Sequence, residues 1–114
     1  DDEIYIADHR NHRIQVFTSG GVFIRTFGSL GSGFGRFNHP ADLAFDGDGN
    51  VYIADEENNR VQKFTSQGEF LTVWGEFGNN NNKFFGPFGI AVDPSGLIVV
   101  ADSRNARIQV FESR

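Results

Sequence analysis

The chain has 114 residues, a net charge of -5 and no cysteine. That is one modest domain without disulfides or thiolate metal sites, and no apolar run is long enough to span a bilayer. The acidic total disfavours bulk attraction to nucleic acid or anionic lipid and leaves only a local basic face for either.

Asp1-Asp2-Glu3 leads, without any methionine in the chain, straight into an apolar run, as expected of a piece excised from a longer chain. Ile4 to Asp8 is apolar on successive residues (Ile4, Tyr5, Ile6, Ala7), which predicts a strand covered on both faces. Beyond a four-residue hairpin loop, His9 to His12, Arg13 to Thr18 alternates, Ile14 and Val16 against Gln15, as a more peripheral strand does. Thr18-Ser19-Gly20-Gly21 turns the chain into the strand Val22 to Phe27. The long connector Gly28 to His39 then leads to the strand Ala41 to Asp46, and Asp46-Gly47-Asp48-Gly49-Asn50 is tight-turn chemistry. From there the pattern restarts with Val51 to Asp55, Arg60 to Thr65 and Glu69 to Trp74. A second connector, Gly75 to Gly86, contains Asn79 to Asn82 as a flexible tip. Phe88 to Asp93, the turn Asp93-Pro94-Ser95-Gly96, Ile98 to Asp102 and Arg107 to Glu112 complete the chain.

The restart is a repeat. Ile4 to Gly20, Val51 to Gln67 and Ile98 to Arg114 align without gaps at an offset of 47 residues, and seven of the 17 columns are identical in all three copies. These columns begin at Ala7, Asp8, Asn11, Arg13, Gln15, Phe17 and Ser19. Four short strands per period, with no apolar spacing of helical type, define the blade of an all-β propeller of antiparallel sheets. Counted from the hub, Ala41 to Asp46 and Phe88 to Asp93 are innermost, and Val22 to Phe27 and Glu69 to Trp74 outermost. The expected division is residues 1–40, a blade lacking its innermost strand, 41–87, a complete blade, and 88–114, a blade lacking its outermost strand.

The run Ile4-Tyr5-Ile6-Ala7-Asp8-His9-Arg10-Asn11-His12-Arg13-Ile14-Gln15-Val16-Phe17, its two copies and the segment Phe37 to Asp46 closely resemble the NHL repeat. The resemblance implies a propeller, usually six-bladed, that binds protein or single-stranded RNA and often ends a TRIM-family ubiquitin ligase. Such a parent would be cytoplasmic, with its catalytic part outside this stretch; otherwise localisation is open. Further blades of the same chain are expected to close the ring. NHL-like propellers also include a lyase with a metal in its central channel.

The loops between second and third strands and the inter-blade connectors are expected on one face, where a partner would sit. Residues that break the repeat are the candidates for contact: Arg10, Glu57 and Arg104 in one column, then Phe34, Arg36, Phe77, Lys83 and Phe85 on the connectors, with His12 beside them. Exposed aromatics anchor a peptide or stack on bases, and cations meet carboxylates or phosphates. The recurring pairs Asp8–Arg13, Asp55–Arg60 and Asp102–Arg107 are expected to act as structural clasps across their hairpin loops. Metal chemistry has little support. Asp46, Asp48, Asn50 and Glu57 fall at calcium-loop spacing, but Val51 stands where glycine is needed, and His9 and His12 have no further ligands for zinc. The serines sit in turns with no His and Asp pattern around them and no phosphate loop leads a strand into a helix, so a non-enzymatic binding platform without cofactor is expected.

Overall fold

The computed structural model describes residues 2–114. The ten strands are β1 (Glu3–Asp8), β2 (Arg13–Thr18), β3 (Phe23–Phe27), β4 (Pro40–Phe45), β5 (Val51–Asp55), β6 (Arg60–Phe64), β7 (Phe70–Trp74), β8 (Pro87–Val92), β9 (Ile98–Asp102) and β10 (Arg107–Phe111). They form three antiparallel sheets in the orders β1-β2-β3, β4-β5-β6-β7 and β8-β9-β10. The fold is the all-β propeller arrangement. The innermost strands begin and end one residue earlier than the sequence predicts. Pro40 and Pro87 can open a strand because its first residue need not donate to the ladder.

Period-two alternation builds the core between sheets. Along β5, Val51 and Ile53 point toward the first sheet and cluster with Ile14 of that sheet, Phe37 of the connector and Phe64 of their own sheet. Tyr52 and Ala54 point the other way and join Val61, Phe84, Ile98, Val100 and Phe111. Every residue of β5 is therefore buried, the consequence of a sheet sandwiched by its neighbours. The third strand β6 is more enclosed than its alternating pattern predicts. Gln62 is fully buried because the preceding connector crosses over it.

The loops expected as plain hairpins each contain a turn of 3-10 helix, at His9–Asn11, Glu56–Asn58 and Ser103–Asn105. Each closes on a left-handed residue, His12, Asn59 or Ala106, with φ of 57°, 54° and 53°. This residue reverses the chain so that Arg13 lands opposite Asp8, Arg60 opposite Asp55 and Arg107 opposite Asp102. His12 and Asn59 use the position: their side chains accept hydrogen bonds from the amides of His39 and Gly86. Ala106 holds the strained backbone without any such polar group. Ala106→Gly should therefore stabilise the chain by about 0.5–1 kcal/mol, read as a rise in the urea midpoint.

Candidate functional site

The face that carries the 3-10 turns and the connectors is assembled around the carboxylates that end the second strands. Asp55 is fully buried. Its Oδ2 accepts hydrogen bonds from Arg60 Nε at 2.8 Å, Asn58 Nδ2 at 3.0 Å and Gln62 Nε2 at 3.1 Å. Its Oδ1 accepts the Asn38 amide at 2.8 Å. Arg60 then spends its remaining donors on the carbonyls of Ser32, Gly33 and Arg36. One carboxylate thus orients a guanidinium and an amide that fasten the connector from the preceding sheet, a charge-assisted arrangement in a place shielded from water. Asp102 repeats it with Arg107, Asn105, Gln109 and the Phe85 amide, fastening the connector at Gly78, Asn79, Asn80 and Lys83. Asn79 to Asn82 is therefore not a free tip.

Asp8 makes the corresponding bonds to Arg13, Asn11 and Gln15 in a more exposed setting. The Arg13 and Asn11 hydrogen bonds hold its carboxyl below the usual carboxylate range. A lowered carboxyl adds stability above the ordinary aspartate pKa and loses it as pH falls through the lowered one.

On this fastened frame the candidate contact residues separate into groups. Arg10 and Arg36 are exposed and carry no ion pair among the described residues. Lys83 is tied to Glu76 at 3.0 Å, and Arg104 to Glu57 at 3.1 Å and Glu56 at 3.4 Å. Two of the four candidate cations are thus neutralised in place. Phe34 lies away from the other aromatics, stacked on the outer-strand residue Phe70 with centroids 5.1 Å apart. Phe77 and Phe85 meet edge to face at 5.1 Å and, with Gly78, Asn79 and Asn105, line a cavity of about 240 Å³. The Arg104 guanidinium lies 5.5 Å from the Phe85 ring centre.

His12 is turned inward to its backbone bond and stands edge-on to His39 at 4.5 Å. His39 in turn faces His9 at 4.9 Å, and His9 Nε2 donates to Glu56 Oε1 at 2.9 Å. A polar chain therefore runs His12, His39, His9, Glu56, Arg104, Glu57 across all three sheets. Its members His39, His9 and Glu56 are not among the candidate contact residues read from the sequence. Neither are the connector-fastening side chains of Asn58, Gln62, Asn105 and Gln109, although the identity of the Asn and Gln columns in every copy was a signal for them. Among the described residues no group of three His, Asp or Glu is arranged to hold a metal ion. Likewise, no helix there is long and apolar enough to cross a membrane.

Antiparallel sheets of three or four strands, repeated at a fixed period and laced together by connectors on one face, define a β-propeller. The NHL repeat model matches residues 1–17, 37–64 and 86–111, and the chain belongs to the NHL repeat family. Among curated proteins none matches it in sequence. Solved structures share the fold. A structural genomics protein of unknown function from Bacteroides thetaiotaomicron superposes with a TM-score of 0.80 at 19% identity, over 96% of this chain and 32% of that one. An auxiliary nutrient binding protein from the same organism gives 0.69 at 20% identity, over 93% and 33%. Virginiamycin B lyase from Staphylococcus aureus gives 0.66 at 18% identity, over 96% and 37%. The chain spans about a third of the length of these structures.

Proposed function

We propose that the connector face holds a protein partner and that the Phe77–Phe85 cavity is its anchor point. One observation carries this reading. An aromatic pair with Phe77 64% exposed stands on a connector fastened by Asn105, Arg107 and Gln109, whereas the first connector has Leu30 and Asn38 in the same columns. The frame recurs while the aromatic pair does not. Rigid exposed aromatics are the side chains that most often carry binding energy at protein interfaces.

Protein is favoured over single-stranded RNA because Lys83 and Arg104 already have carboxylate partners, which a phosphate backbone would have to displace. Recruiting substrates for a TRIM-type ubiquitin ligase is the specific form of this role that the family resemblance implies. The platform reading is non-enzymatic and rests on what the connector face offers, hydrogen-bond donors, cations and aromatic surface.

Binding proteins captured from a lysate by the unaltered chain should be lost at least about tenfold by Phe77→Ser with Phe85→Ser. The paired change should move the urea midpoint by little, because both rings are exposed. Undiminished capture by that variant would remove the anchor. Recovery of RNA in place of protein, released by modest added salt, would reverse the choice of partner.

A further inference from the structure

The hydrogen bond that fastens the end of a connector to the 3-10 turn of the sheet before it is made twice, with different chemistry. At the seam between the first and second sheets the His39 amide donates to His12 Nδ1 at 3.0 Å. At the next seam the Gly86 amide donates to Asn59 Oδ1 at 2.9 Å. His39 and Gly86 occupy the same column of the repeat, and both are left-handed, with φ of 61° and 66°. Each bond spans a seam that has a sheet on either side.

A backbone N–H only donates, so the atom it meets must offer a lone pair. An imidazole Nδ1 has one only while that nitrogen carries no proton. The fold therefore selects the neutral His12 ring with its hydrogen on Nε2. The imidazolium carries a hydrogen on both nitrogens and would meet the His39 amide donor to donor. The side-chain oxygen of Asn59 keeps its lone pairs throughout the same pH range. The two other rings of the cluster are bonded differently. His39 Nδ1 donates to Asn38 Oδ1 at 2.7 Å and His9 Nε2 to Glu56 Oε1 at 2.9 Å, and both can go on donating when charged. The charged groups on the elements around His12 are engaged elsewhere: Asp8 with Arg13, Asp42 with the amides of Leu43 and Ile90, and Glu56 and Glu57 with His9 and Arg104. Arg10 and Arg36, on the adjoining turn and connector, are exposed, and a charge on His39, whose ring lies 4.5 Å from that of His12, would only add repulsion. Among the described residues no carboxylate pairs with His12 to offset the lost bond.

We propose that His12 makes the first seam responsive to pH: proton uptake by its imidazole unfastens the connector at His39, while the second seam, held by Asn59, stays closed. The change falls where histidines change charge, between about pH 8 and 5. The fastening is complete above that range and is lost as pH falls through it, because the folded chain holds the unprotonated ring. Asp8 loses its contribution only in the lower, carboxylate range and so does not mimic the effect. His39 leads directly into β4, and its carbonyl accepts the Glu56 amide. Loosening at His39 therefore reaches the second turn, whose Glu56 and Glu57 hold Arg104. This device is independent of which partner the connector face holds.

Hydrogen exchange followed residue by residue by NMR on the intact protein tests it. Corrected for the intrinsic pH dependence of exchange, the protection of the His39 amide should fall about tenfold from about pH 7.5 to about pH 5.5, and that of Gly86 should hold. The ring nitrogen shifts of His12 should report the Nε2–H form at the upper pH. His12→Asn, which copies the second seam, should remove the fall. Asn59→His should transfer it to Gly86, and this variant carries the test if His12→Asn does not fold. Protection of His39 that stays level with pH would overturn the proposal. So would a fall that persists in His12→Asn, a Gly86 amide that stays insensitive in Asn59→His, or a His12 ring with its hydrogen on Nδ1 at neutral pH.

Discussion

Asp55→Ala should cost about 3–5 kcal/mol of folding stability, a large share of what a domain of this size possesses. The carboxylate is fully buried and the Arg60 side chain beside it is only 9% exposed, so deletion leaves a guanidinium in a shielded place facing three carbonyls without its counter-charge. It also strands the amide of Asn38 and the side-chain amides of Asn58 and Gln62. The same substitution at Asp8 should cost less than about 1 kcal/mol, because Arg13 there is 41% exposed and water replaces what is lost. Asp102, buried but paired with a more exposed Arg107, should fall between. Urea unfolding at constant slope measures all three. Equal costs at Asp8 and Asp55 would show that the connector-fastening network contributes nothing beyond the ion pair.

That gradient also marks how far the sequence can be read. The strands and their order are legible, since Val51 to Asp55 and its copies announce a doubly covered strand by composition alone. The Asp and Arg columns are legible as a pair because they recur around a short loop. What joins them to a connector more than 20 residues away is not: the hydrogen bonds of Arg60 go to backbone carbonyls, which have no identity in a sequence. The inward turn of His12 is hidden for a similar reason. Its place is taken by Asn59 in the next copy, and an imidazole and an amide look unrelated until both are seen accepting from a backbone N–H 27 residues downstream. The exposed Phe77 and Phe85 are the converse case. Composition makes any phenylalanine a core candidate, and only the break in the repeat sets these two apart.

A second large effect is expected where each outer strand ends. Gly75 has φ of 106°, and a β-carbon there would lie 2.5 Å from the Phe84 ring and 3.2 Å from the Arg60 Cα. Phe84 comes from the connector and is fully buried in the core between the second and third sheets, so its ring cannot retreat. Gly75→Ala should cost about 3 kcal/mol or more, from left-handed strain of about 1–2 kcal/mol and the displacement of a packed ring. Phe84→Ala should cost about 3–5 kcal/mol through the cavity it leaves. The two changes should not add. Without the ring the new methyl meets open space on that side, so the double variant should be about 1–2 kcal/mol more stable than the sum of the single costs predicts. Strict additivity would mean that Gly75 is required by backbone angle alone and not by the ring laid across it. Gly28, with φ of 98° and a β-carbon position 2.4 Å from the fully buried Phe37 ring, offers the same experiment one repeat earlier. Agreement between the two cycles would establish that a glycine at the end of an outer strand and the connector phenylalanine nine residues later act as one unit, the device by which each sheet is bolted to the next.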